Sequence, residues 1–321
     1  MAFHNVHDGT PEWHAIRRQN VGASEVAALF GEQPDFAQSA YTLHMVKSGR
    51  IPTPPVDDGP GSRVWFGKYL EPTIARMAAA MWGWWTDKGT YCTDDTTPGM
   101  AASLDYIVRE PGPDEIAKGY TGPGALELKN ADWLAHRKSW DGGDPPMHIL
   151  LQLQQQLACS GYTWGCIVCL VGGNQLVKYH YVPRPRIIDA IRERVTQFWA
   201  DVRAGKAPPV DGTDSTAAAL KVLYPSLGDD EPLDLMTHNE ASEAAAQFMI
   251  AQADKASADA RYIEARNRLE GILQGRRRAV CQGFSINVAV TPDNPGRVAM
   301  PGEIIGRRAG SRRFTVREVQ N

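Results

Sequence analysis

Hydrophobic and polar positions repeat along this chain with two different periods, and the switch between them predicts its elements. From Trp13 to Phe30 a short amphipathic stretch runs into a Gly-Ala-Ser turn and then a helix, for which Ser24 is the expected N-cap ahead of Val26, Ala27, Leu29 and Phe30. A second helix is predicted over 39–49, ended by Gly49, and residues 51–62, rich in Pro, Gly and Asp, form a loop. A longer helix follows from about Val64 to Met81, where Pro72 breaks it, bends it or marks the start of its regular part. The period then shortens to two, and 84–93, 101–109 and 124–130 read as strands. Residues 131–140 read as helix and stop at Asp141-Gly142-Gly143-Asp144-Pro145-Pro146. Residues 147–160 form a helix with Leu150, Leu153 and Leu157 on one face and Gln152, Gln155 and Gln156 on another. Strands near 164–171 and 175–182 precede a helix over 185–204 that Gly205 ends. The succession predicts an α/β core, a central mixed sheet flanked by helices.

Beyond that core the pattern weakens. Residues 205–235 read as a linker, 238–274 as one long alanine-rich helix or a helical pair with Met249, Ala256 and Ile263 at heptad spacing, and 281–319 as short strands with a Pro-Asp-Asn-Pro-Gly turn. The expected division is therefore 1–210 for the main domain and 211–321 for a helical arm with a small strand-rich tail.

Composition narrows the class. The chain has 321 residues, 43% hydrophobic and 22% charged, as expected of a globular protein. No apolar run reaches the length of a membrane span, and the first residues lack a basic flank and an apolar signal core, so a cytoplasmic location is expected. Five cysteines without a signal peptide imply reduced thiols. Cys166 and Cys169 form a CxxC, but in a strand a separation of three points them to opposite faces, which favours a structural role over a shared metal. Net charge is only −3, yet its distribution is uneven: −8 over 211–260 and +7 over 261–321. The basic clusters Arg276-Arg277-Arg278, Arg307-Arg308 and Arg312-Arg313 suit phosphate contact or, equally, pairing with the acidic half.

The strongest candidate chemistry is Ser103-Leu104-Asp105-Tyr106 followed some twenty residues later by Leu126-Glu127-Leu128-Lys129. On a strand Glu127 and Lys129 share one face while Leu126 and Leu128 take the other. With Asp105 on the neighbouring strand, two carboxylates converge, and Asp105, Glu127 and the Leu128 carbonyl offer Mg²⁺ the oxygen ligands it prefers. Lys129 would then position or deprotonate a water and screen charge at a phosphate. The alternative is an exposed strand with a Glu/Lys pair on its solvent face. Glu71, at the start of a helix, is otherwise a dipole complement, and Gln152 otherwise a solvated helix position.

Four blocks in order carry a family resemblance. They are Glu12-Trp13-His14-Ala15-Ile16-Arg17 running into Val21-Gly22-Ala23-Ser24-Glu25-Val26, then Phe66-Gly67-Lys68-Tyr69-Leu70-Glu71, then Ser103-Leu104-Asp105 with Glu127-Leu128-Lys129-Asn130, and Gln152-Leu153-Gln154-Gln155-Gln156-Leu157-Ala158-Cys159-Ser160-Gly161. In these the chain resembles the YqaJ-like, lambda-exonuclease-like viral recombinases of the PD-(D/E)XK nucleases. The resemblance implies a restriction-endonuclease-like core over 1–210 and a two-metal site. Asp105, Glu127 and the Leu128 carbonyl would bind Mg²⁺ (Mn²⁺ substituting), Lys129 would assist the water, Glu71 would support the second ion, and Gln152 would line the site. Arg17 and Ser24 would hold the 5′-phosphate of a DNA end, a guanidinium fork beside a helix N-terminus. The implied activity is 5′→3′ digestion of linear duplex DNA for phage-type recombination, by a phage-encoded or prophage-derived protein that forms a trimeric ring and works with a single-strand annealing protein. The alternatives are an endonuclease or structure-specific repair nuclease on the same core and, in another class, an inactive DNA-end binder or phage structural protein. Two departures stand out: Leu104-Asp105-Tyr106 where the family has Pro-Asp-Gly, and Ile149 where it often has an aromatic. Gly310-Ser311-Arg312-Arg313-Phe314-Thr315-Val316 resembles the end of related C-terminal pieces, which implies DNA guidance, partner docking or a stabilising appendage.

Overall fold

The computed structural model describes all residues except 7–8, 141–142, 226–232, 293–296, 301–302, 306–310 and 319–321, and only the backbone of 297–300, 303–305 and 311–318. The chain separates into two compact units, Met1–Gly228 and Asp229–Asn321.

The first unit begins with β1 (Ala2–His4), α1 (Pro11–Arg18), β2 (Val21–Gly22), a 3-10 turn (Val26–Phe30), α2 (Ala40–Lys47) and α3 (Arg63–Trp82). Strands β3 (Trp85–Lys88), β4 (Tyr91–Thr93), β5 (Met100–Ser103) and β6 (Tyr106–Glu110) follow, then α4 (Pro113–Ala117), β7 (Gly124–Ala131), α5 (Trp133–Ser139) and α6 (Met147–Ser160). It ends with β8 (Gly165–Val171), β9 (Gln175–Tyr181), α7 (Pro185–Ala204) and α8 (Asp214–Leu223). One sheet has the order β3-β6-β7-β8-β9, with β7 and β8 parallel and the other pairs antiparallel. A second has the order β1-β4-β5-β2, with β2 and β5 parallel. This is the predicted mixed-sheet α/β architecture.

The five-stranded sheet is apolar on both faces, as the long hydrophobic runs of β7 and β8 require. Ala125, Ile167 and Cys169 join one core with residues of α6 and α7, while Leu126, Leu128, Cys166 and Val168 join another with Ile74, Ala75 and Ala78 of α3. Cys166 and Cys169 thus lie in different cores on opposite sides of β8, as the strand spacing predicts. Pro72 lies inside α3 without ending it.

Two expected strands are each cut in two, for one reason. The 84–93 segment breaks at Gly89-Thr90 and the 101–109 segment at Leu104-Asp105, so that β3 and β6 join one sheet while β4 and β5 join the other. At the crossing Gly89 N–H donates to the Asp105 carbonyl (3.0 Å) and Leu104 N–H to the Thr90 carbonyl (3.1 Å). A Cβ on residue 89 would stand 2.0 Å from the Leu104 carbonyl oxygen, so only glycine admits this approach.

The expected linker also contains structure. Thr213 caps α8, and Ala219, Leu220 and Leu223 pack on Tyr41, Met45 and Ile51. The Ser39 and Thr216 hydroxyls lie 2.7 Å apart, buried between α2 and α8. The first unit therefore includes α8, past residue 210 where the sequence pattern alone ended the main domain.

In the second unit the alanine-rich segment is one helix, α9 (Asn239–Leu273), not a pair. Strands β10 (Arg278–Cys281), β11 (Phe284–Thr291), β12 (Arg297–Met300), β13 (Glu303–Ile305) and β14 (Ser311–Glu318) follow. They form a β10-β11-β14 sheet and a β12-β13 pair. The expected turn at 293–296, Arg307-Arg308 and Gly310 lie outside the described residues, as do the side chains of Arg312 and Arg313 and, in the first unit, Asp141-Gly142.

Candidate active site

The candidate site forms where the two sheets part. β6 pairs with β7 only from Gly124 to Leu126, so Glu127-Leu128-Lys129 run on beyond the start of β6. The Asp105 carboxylate takes the vacated ladder position, its Oδ2 accepting from Leu128 N–H at 2.8 Å. A strand residue presents its N–H and C=O to the same side, so the Leu128 carbonyl faces Asp105 as well. Glu127 is 1% exposed on the α6 side of central strand β7, which excludes the solvent-face reading of the Glu/Lys pair. Lys129 Nζ lies 2.5 Å from Glu127 Oε1 and donates to Gln152 Oε1 at 3.1 Å. Gln156 Nε2 donates to Glu127 Oε2 (2.6 Å) and to the Ser103 carbonyl (3.1 Å).

The electrostatics are those of crowded carboxylates. Burial, then the charge of Glu127, and also that of Glu71, push the Asp105 carboxyl well above the usual carboxylate range against the pull of Lys129. Burial opposes the charge on Lys129, but Glu127 and Asp105 outweigh it and raise its pKa, so it remains an ammonium. On the α3 side Lys88 pairs with Glu71 and lies 5.0 Å over the Tyr106 ring.

This donor set fits a hard divalent cation. Two carboxylates repel each other beside a backbone carbonyl, and a cation among them would relieve the repulsion that raises Asp105. Among the described residues no group of three His, Cys, Asp or Glu side chains stands ready as a metal cage. The candidate side-chain donors here are two, with Glu71 held by Lys88.

Glu71, Asp105 and Gln152 line a cleft of about 1120 Å³ whose wall also includes Arg17 and Ser24. Arg17 lies 4.5 Å over the Trp13 ring, and its Nη2 meets Glu25 Oε1 at 3.3 Å. Glu25 Oε2 accepts from Gly22 N–H (2.8 Å) and from Lys47 (2.9 Å). Lys47, from α2, also donates to the Arg17 and Asn20 carbonyls (2.8 and 2.6 Å), fastening the C-terminal end of α1.

Two sequence expectations are corrected. Glu71 lies in the middle of α3 (Arg63–Trp82) and not at a helix start. Ser24 caps no helix: the N-cap of the following element is Glu25, and that element is a five-residue 3-10 turn. Glu25 turns back to the Gly22 N–H instead, so the dipole argument for Ser24 falls and its exposed hydroxyl is what remains.

Sequence reading missed Glu25, Lys47, Lys88 and Gln156. Glu25 and Gln156 stood inside quoted blocks, but nothing in their spacing assigned them a partner. Gln155 and Gln156 are fully buried, not solvated, because the α6 face that carries them packs on both sheets. Gln155 Nε2 donates to the Val21 and Ala101 carbonyls.

Residues 12–163 match the family model of the YqaJ-like viral recombinase domain. The Bacillus subtilis (strain 168) protein named "Uncharacterized protein YqaJ" is 23% identical over 267 residues, 81% of this chain and 76% of that protein. Among solved structures, the alkaline exonuclease LHK-Exo from Laribacter hongkongensis is similar at 22% identity and a TM-score of 0.48, covering 61% of this chain and 94% of that one. A phage related exonuclease from Haemophilus somnus 129PT is similar at 10% identity and a TM-score of 0.41, covering 59% and 96%. The four sequence blocks all lie within the stretch that matches the YqaJ-like viral recombinase model.

Proposed function

We propose that this chain is a metal-dependent DNA exonuclease of the PD-(D/E)XK type. It digests linear duplex DNA from a 5′-phosphorylated end and leaves 3′ single strands for recombination by annealing. The observation that carries the reading is the meeting of Asp105, Glu127 and Lys129 at one end of a cleft that Arg17 also lines. The family match and the named activity of the similar solved proteins accord with it.

Asp105, Glu127 and the Leu128 carbonyl would hold Mg²⁺ or Mn²⁺, and Glu71 would support a second ion. When bound, the metal supplies an acidified water and neutralises charge at the scissile phosphate. Lys129 positions or deprotonates that water and screens the charge at the phosphate. Gln152 holds the ammonium in place, and Gln156 keeps Glu127 turned toward the cleft. Arg17 anchors the terminal 5′-phosphate with its fork, and the Ser24 hydroxyl adds a donor. A fixed anchor to one side of the metal-binding carboxylates sets the direction of digestion. The reading extends to a cytoplasmic setting, to a trimeric ring around the duplex whose channel alone must be basic, and to an annealing protein that takes up the product strand. No helix among the described residues is long and apolar enough to cross a membrane.

The test is incubation with Mg²⁺ and linear duplex carrying or lacking a 5′-phosphate, beside a closed circle. Loss of the phosphorylated linear form alone is expected. Cutting of the circle would establish an endonuclease, and inertness in both Mg²⁺ and Mn²⁺ a DNA-end binder.

A further inference from the structure

Tyr91 has a polar atom with no role in the fold. Its side chain is buried, at 2% exposure, and its hydroxyl makes no hydrogen bond among the described residues. A buried phenol normally satisfies its O–H, because an unmade bond there costs about 1–3 kcal/mol. The ring has no freedom to turn away: it is buried on β4 beside β1, with His4 edge-on at 6.0 Å.

The register gives the hydroxyl its direction. Tyr91 stands opposite Ser103, and Gly22 opposite Ala101, two residues from Ser103 along β5. Opposed residues share a face, and so do residues two apart on a strand. Tyr91, Ser103 and Gly22 therefore project together, and all three line the cleft that Arg17, Ser24 and Glu25 also line. Burial pushes the phenol above its ordinary pKa, with Arg17 and Glu25 the nearest charges acting on it, so it is a neutral O–H donor at any working pH. Arg17, Lys47 and Glu25 together leave one positive charge at this end of the cleft.

We infer that the Tyr91 hydroxyl is a donor of the DNA-end pocket, reserved for an oxygen of the terminal 5′-phosphate that Arg17 holds. The inference rests on the reading of Arg17 as the phosphate anchor. It adds a neutral donor that becomes satisfied only when an anionic oxygen enters the cleft. A phosphorylated end then gains a bond that a hydroxyl end cannot make.

The experiment is Tyr91→Phe, which keeps the ring and removes the oxygen. Binding of short duplexes with and without a 5′-phosphate is measured by fluorescence anisotropy without divalent metal, and steady-state digestion is measured in Mg²⁺. Affinity for the phosphorylated end is expected to fall about tenfold, with a matching rise in KM, the size of one hydrogen bond to a charged group. Binding of the hydroxyl end and kcat at saturation are expected to stay level, and thermal stability of the free protein to rise, because the variant removes an unsatisfied buried hydroxyl. A variant that discriminates the two ends as well as wild type does, or one that loses affinity for both equally, overturns the assignment of Tyr91 while leaving Arg17 standing. Wild type that itself binds both ends alike overturns the anchor and Tyr91 together.

Discussion

Two buried glutamates on the five-stranded sheet and its flanks invite comparison, because each holds a lysine and they are used differently. Glu115, on α4, is fully buried and accepts from Trp84 Nε1 (2.7 Å), Lys178 Nζ (2.8 Å) and His180 Nε2 (2.8 Å). Burial works against its charge, but these donors overcome it and bring its pKa down to about 2. Trp82 and Trp84 stack on Lys178, and Tyr120 and Trp164 pack near His180, so the cluster is sealed. Glu127 also has a lysine and a neutral donor, but a second carboxylate, Asp105, shares the space and is driven up in pKa. An acid with more donors than it needs is a structural rivet. Acids left in mutual repulsion beside a cleft are what the proposed cation would relieve.

The contrast can be broken first at the cleft. Lys129→Ala is expected to lower digestion at least about a thousandfold, roughly 4 kcal/mol of transition-state stabilisation, while DNA binding persists. Loss of binding in parallel with rate would make Lys129 a fold residue like Lys178. At the other acid, Glu115→Gln is expected to lower unfolding free energy in urea by about 3 kcal/mol, with kcat of the folded fraction unchanged.

Acid titration sharpens the same point. The folded-state pKa of Glu115 lies below its unfolded value, so its contribution to stability is present above the ordinary glutamate pKa near 4.5 and is lost as pH falls toward about 2. Asp105 has the opposite sign. Its raised folded pKa makes ionisation unfavourable, so its carboxylate destabilises the fold as pH rises through that value, and Asp105→Asn should be more stable than wild type at neutral pH while inactive. A stability loss in that variant would remove the repulsion argument. The smallest expected effect is at the anchor, where Arg17→Ala should reduce the rate advantage of 5′-phosphorylated ends about tenfold with little change on hydroxyl ends.

Much of the core was legible because its elements are amphipathic or uniformly apolar over enough residues to show a period. The alternation of Ala125, Leu126, Glu127, Leu128 and Lys129 put the two charges on one face, and the structure keeps them there. Asp105 needed a strand neighbour that sequence could only suppose. The sheet crossing was not legible, since a strand that changes partners at Gly89 keeps the same alternation as one that does not. α8 was hidden by its small residues, whose apolar character is too weak to stand out from a linker. Ser24 misled because Ser before an apolar run is a good cap signal, whereas the turn starts one residue later, at Glu25, and carries no side-chain cap. Of the site, the residues that touch the cleft were marked by type and order. Those that hold them, Lys47, Lys88 and Gln156, come from distant elements and carry no local mark.

The crossing at Gly89 has a consequence for how this protein tolerates change. Residue 89 touches no ligand and carries no charge, yet any side chain there must push the Leu104–Asp105 peptide aside. A mutational screen would score that position as though it were chemical, and a breeder of variants who protected only the acids and the lysine would leave the hinge pin of the site unguarded.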